Sequence, residues 1–124
     1  MAEDSTNTLI LLVTRNVKNA KLLGKALLDE GYRMRVATTV EEFANSVDSD
    51  EPIALALVDL TGFDSRIWPL CERLRSAETP LLMLAARKSP TIDQKGHEHG
   101  ASSVLVKPVG VRELLGLMRV MIEG

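Results

Sequence analysis

Residues 53–58 read IALALV and stop on an acid, Asp59. The run is too short to be a helix of its own. Pro52 bounds it on one side and the carboxylate on the other, so it reads as a β-strand. Its apolarity is continuous rather than alternating. A strand covered by helices on both faces, as in a parallel sheet, requires that pattern, whereas a half-exposed antiparallel strand alternates. Residues 8–13, 81–84 and 104–106 share the same character. A fifth run, 32–37, alternates, with Arg33 and Arg35 set against Tyr32, Met34 and Val36, and fits an edge strand.

Helical patterns fill the gaps. Ala20, Leu23, Leu27 and Leu28 share a face between a capping Asn16 and a terminating Gly31. Thr39 and Glu42 have the spacing of a capping box, predicting a helix over 40–47 that the acidic loop DSDEP (48–52) ends. Ile67, Leu70, Cys71 and Leu74 recur at helical spacing, with Asp64 placed to cap a helix beginning near Ser65. Val111, Leu114, Leu115, Met118 and Met121 do the same near the C-terminus, and Pro90 suits the first turn of a polar helix over 89–99. A strand–helix unit repeated five times predicts a doubly wound five-stranded parallel sheet in three α/β/α layers, with its functional crevice at the carboxyl ends of the strands.

The composition, 45% hydrophobic and 26% charged over 124 residues, is that of one globular domain, expected over 8–122 behind a flexible polar tail at 1–7. A formal net charge of −2 argues against direct nucleic-acid or membrane binding, which needs a dominant positive field. No apolar run is long enough to span a bilayer and the start lacks a signal-peptide pattern, so the chain is expected to be cytoplasmic. Cys71 is the only cysteine and reads as a small apolar residue of a helix. His97 and His99, two apart, do not share a helix face and give no metal pair, and no Gly-rich phosphate loop or catalytic elbow is present. No catalytic residue is expected.

Two charges stand at strand ends: Asp59 in LVDL and Lys107 in LVKPV. Projecting into one crevice, they attract each other strongly. On these residues, and on LILLV (9–13), LLDEGYRMRVAT (27–38), TPLLMLAAR (79–87) and HGASSVLVKPV (99–109), the chain resembles response-regulator receiver domains of two-component signalling. The resemblance implies a flavodoxin-like (βα)5 fold, Asp59 at the phosphoacceptor position, Lys107 as partner of the phosphoryl oxygens, Thr61 offering a backbone carbonyl to a metal, and a cis bond before Pro108.

The same resemblance exposes departures. Receivers hold Mg²⁺ with two acids after strand one, and here those positions are Thr14 and Arg15. Asp59 alone is left as carboxylate, while Arg15 either pairs with it as a fixed positive charge or turns outward to solvent. The hydroxyl position after strand four is Ala85, which has no donor, and the aromatic switch position on strand five is Val104. Asp64 is a conceivable rescue ligand, although capping suits its loop better.

These substitutions predict an atypical receiver, a pseudo-receiver that serves as a regulatory interaction module, is not an enzyme, needs no cofactor and holds an Asp59, Lys107 and Arg15 charge cluster. Its implied partners are proteins: a histidine kinase, a phosphotransfer protein or an output domain, with homodimerisation through helix four, strand five and helix five. A conventional phosphoacceptor using Mg²⁺, and a doubly wound domain binding a small ligand in its crevice, are the alternatives.

Overall fold

The computed structural model describes residues 8–123; the tail expected at 1–7 lies outside them. The chain runs β1 (Leu9–Val13), α1 (Val17–Asp29), β2 (Arg33–Ala37), α2 (Val40–Asp48), β3 (Leu55–Asp59), α3 (Ile67–Ser76), β4 (Leu81–Ala85), α4 (Pro90–Glu98), β5 (Ser103–Val106) and α5 (Val111–Glu123). The strands form one sheet in the order β2-β1-β3-β4-β5, and every pair is parallel.

Alternate side chains of each central strand feed opposite cores. Leu11 and Val13 pack with Phe43 of α2 and Ile67, Cys71 and Leu74 of α3. Ile10 and Leu12 pack with Ala20 and Leu27 of α1 and Leu114 and Met118 of α5. β1, β3 and β4 are buried along their whole length, as their unbroken apolar runs require.

The edges differ from one another. β2 is an edge strand, its Arg35 bonded to Glu51 at 2.9 Å and Arg33 paired with the same carboxylate. β5 carries an equally apolar sequence yet is only half-buried, with Val106 exposed. Continuous apolarity suggested burial on both faces there. As the last strand of the sheet it has a neighbour on one side only, so the expectation does not hold.

Local signals place the helices. The Asn16 side chain accepts from the Asn19 amide at 3.0 Å, and Gly31 ends α1 at φ 89°, a conformation glycine adopts without strain. Thr39 accepts from the Glu42 amide at 3.0 Å, while the Glu42 carboxylate reaches back to the Thr38 amide at 2.7 Å, one residue earlier than a standard capping box. Those bonds to Thr38 hold the Glu42 carboxyl below the usual carboxylate range.

Asp64 is not the helix cap expected of it. α3 begins at Ile67, and Asp64 instead accepts from the Arg66 amide at 2.9 Å and from its guanidinium at 3.0 Å, closing a turn ahead of the helix. Trp68 ties α3 to α4, its ring 5.0 Å from that of His99 with Lys95 Nζ 5.4 Å above it. His99 and His97 each direct Nδ1 at a backbone carbonyl, of Lys95 at 2.8 Å and Ala101 at 3.0 Å, which is a structural use of both rings.

Cys71 is buried in the α3 core, and burial pushes its thiol from an ordinary 9.0 up to about 12. Below pH 9 both folded and unfolded chains keep that proton, so the thiol adds no slope to stability. Above it the unfolded chain ionises first and stability falls. Relative to Cys71→Ala, the wild type should lose about 1.4 kcal/mol more by pH 10, and disulfide reagents should label Cys71 only as the chain unfolds. Urea titrations at pH 8 and pH 10 check both points.

Candidate functional site

β3 delivers Asp59 to the carboxyl edge of the sheet as its last residue, 5% exposed. β5 delivers Lys107 one residue beyond its end, anchored by its amide to the Ala85 carbonyl at 2.9 Å and followed by a cis bond to Pro108. β4 lies between the two strands, so the lysine spans that strand's end to reach its partner. Lys107 Nζ donates to Asp59 Oδ2 at 2.9 Å, and the Thr61 amide donates to Oδ1 at 3.1 Å. Both carboxylate oxygens are therefore engaged, one by a charge-assisted bond.

Thr14 follows β1 directly and is 3% exposed. Its amide donates to the Ala37 carbonyl at 3.0 Å and its Oγ1 accepts from the Asn16 amide at 3.1 Å, which closes the turn into α1. Arg15 does not join Asp59. Its stem lies over Gly62, where an added Cβ would stand 3.2 Å from Arg15 Cγ, and its guanidinium carbon sits 5.8 Å from the centre of the Phe63 ring.

The expected cluster of three charges is thus a pair. Asp59 already has a partner on each oxygen, whereas the bare backbone of Gly62, held at φ 84°, and the face of Phe63 offer the arginine a platform suited to its apolar stem and flat head. A glycine followed by an aromatic was the available signal for this platform.

Ala85 ends β4, buried, and its carbonyl accepts from the Lys107 amide. Val104 sits on β5 beneath α4, its Cγ2 close enough to Gly96 that an added Cβ would stand 2.7 Å away. Thr61 presents its amide to Asp59 and lies exposed at the rim. Structure brings Asp59, Lys107 and Thr61 into contact, and leaves Ala85 and Val104 lining a separate hollow beside α4.

Magnesium needs a near-octahedral array of oxygens, usually with one or two carboxylates free to turn toward it. The donor set here does not fit. Asp59 is tied to a lysine and an amide, the Thr14 hydroxyl is spent on the turn, and Arg15 and Lys18 line the cleft beside Asp59. Among the described residues no group of three or more His, Cys, Asp or Glu side chains is placed to hold a metal.

A (βα)5 sheet wound in this order, with an acid and a lysine joined at its carboxyl edge, defines a CheY-like receiver fold. Comparison with known proteins agrees, although no family model matches the chain. It is 34% identical over 113 residues, 89% of its length, to the transcriptional regulatory protein TcrA of Mycobacterium tuberculosis, covering 44% of that protein. It is 33% identical over 117 residues, 92% of its length, to the response regulator MprA of Mycobacterium avium, covering 50%. The chain thus spans about half the length of the curated relatives it matches. Among solved structures, a CheY-like receiver domain protein from Methanospirillum hungatei superposes with a TM-score of 0.84 at 24% identity over 94% of both chains. The chain belongs to the receiver-domain family of response regulators.

Proposed function

We propose that this chain is an atypical receiver, a non-enzymatic cytoplasmic module whose conformation is set by the Asp59–Lys107 ion pair and whose Mg²⁺-dependent phosphorylation is weak. The observation that carries the reading is the engagement of both Asp59 oxygens in a crevice with no second carboxylate among the described residues, under a cleft lined by Arg15 and Lys18. Asp59 keeps the acceptor position and Lys107 the position of the phosphoryl partner, while Thr14 and Arg15 stand where the metal-binding acids belong. Phosphoryl transfer is largely positioning and charge stabilisation, and this site lacks the paired acids that would position the metal.

Transmission is altered in the same sense. Ala85 has no hydroxyl with which to draw the β4–α4 loop toward a group on Asp59, and Val104 has no ring to move between buried and exposed states. The surface of α4, β5 and α5, with Val106 and Val111 exposed, would then be displayed constantly to a protein partner such as a kinase, a phosphotransfer protein, an output domain or a second copy.

Conventional phosphotransfer is the second reading, favoured by one observation, the 2.9 Å approach of Lys107 Nζ to the acceptor-position carboxylate. Beryllofluoride separates the two. In ¹⁵N-correlation spectra at millimolar Mg²⁺ and beryllofluoride we expect the amides of Asp59, Ala85 and Lys107 to stay where they are. A stoichiometric, Mg²⁺-dependent adduct would replace our reading with the conventional one.

A further inference from the structure

Two cavities flank the Asp59–Lys107 pair and share it as a common wall. One, of about 480 Å³, opens between the β1–α1 and β3–α3 turns and is lined by Arg15, Lys18, Thr61 and the pair itself. Among the described residues it carries three cations against one carboxylate. The other, of about 500 Å³, runs between α1 and α5 and is walled mainly by apolar side chains, among them Leu12, Leu23, Val109 and Leu114. That size and lining are those of small-molecule sites, which combine an apolar wall with a few polar anchors.

We infer that the crevice binds a small amphipathic anion, with its apolar body in the α1–α5 cavity and its carboxylate in the basic cleft, bridging toward Lys107 and Arg15. Charge complementarity selects the head, because Lys107 neutralises Asp59 and the cleft still holds Lys18 and Arg15, the arginine drawing only a minor pull from Asp64. Apolar area selects the body. Neither cavity alone accounts for both features, and only a molecule with a charged end and an apolar end uses the two together.

The inference rests on the proposed reading in one respect, that no metal ion occupies the crevice, and it is tested with EDTA present so that the two can fail separately. The ¹⁵N-labelled chain is titrated with octanoate, 1-octanol and acetate. Octanoate should bind at least about tenfold more tightly than either of the others, a difference of about 1.4 kcal/mol, and should shift the amides of Lys107, Val109 and Leu114. Raising salt from about 0.1 to 1 M, which shortens the screening length from about 10 to 3 Å, should weaken octanoate and leave octanol alone.

Two variants on exposed positions keep the test independent of folding. Arg15→Glu with Lys18→Glu should weaken octanoate at least about tenfold without touching octanol, since like charges then face the carboxylate. Ala86→Phe, at the mouth of the apolar cavity, should weaken both. Equal affinity for octanoate and octanol, equal affinity for octanoate and acetate, shifts clustered elsewhere, or octanoate binding indifferent to the double variant would each overturn the inference. A positive beryllofluoride result would overturn the proposed function and leave this titration to be judged on its own outcome.

Discussion

Replacing Thr14 and Arg15 together by aspartate should give the crevice at least about a hundredfold higher affinity for Mg²⁺ than the wild type has, because each unit charge about 4 Å from another exchanges about 4 kcal/mol even at an effective dielectric of 20. The change removes one cation and adds two carboxylates beside Asp59, supplying what the ion's coordination lacks. Without the ion the three carboxylates repel, so the apo variant should melt below the wild type, and Mg²⁺ should restore its stability by mass action. The turn itself should survive, since an aspartate oxygen can accept from the Asn16 amide as the Thr14 hydroxyl does at 3.1 Å. Calorimetric Mg²⁺ titrations of the two proteins, with melting curves at each concentration, check the prediction. Equal affinity would mean that charge at these positions does not govern the site.

The second large effect is on stability. Lys107→Met leaves Asp59, 5% exposed, with only the Thr61 amide as partner. Removing one member of a fully buried pair costs about 3–5 kcal/mol, and with the Lys107 side chain 27% exposed, water can partly replace it, so about 2 kcal/mol is expected. Asp59→Asn in the same chain removes the stranded charge and should recover at least half of that loss. A double-mutant cycle in urea measures the coupling, expected at about 1–2 kcal/mol. Strict additivity would show that the pair is not what holds the crevice.

Much of this was legible in the sequence because periodicity reports burial. The unbroken runs at 9–13, 55–58 and 81–84 are strands buried on both faces, and the alternating run at 33–37 is an edge. Burial depends on neighbours as well as on composition, which is why the equally apolar β5 reads as interior yet closes the sheet half-exposed. Asp59 and Lys107 could be read as site residues because each sits at a strand end, where the parallel fold leaves little choice of direction.

Arg15 could not be read that way. Its long side chain can turn toward either a carboxylate or an aromatic face, and the choice was decided by the positive-φ turn at Gly62, a property of loop geometry that spacing does not record. Asp64 illustrates the same limit: capping and turn closure use the same residue type, and only the start of α3 at Ile67 separates them. The apolar cavity between α1 and α5 belongs to no motif, since it arises where five elements leave space.

On the proposed reading Asp59 occupies the acceptor position without the acidic neighbours that hold Mg²⁺ for phosphorylation. Incubation of the wild-type chain with acetyl phosphate, with and without Mg²⁺, followed by intact-mass measurement and with Asp59→Asn as control, tests it most directly. We predict that little or no phosphorylated chain forms and that adding Mg²⁺ makes no difference. Rapid, Mg²⁺-dependent phosphorylation that disappears in Asp59→Asn would contradict the account.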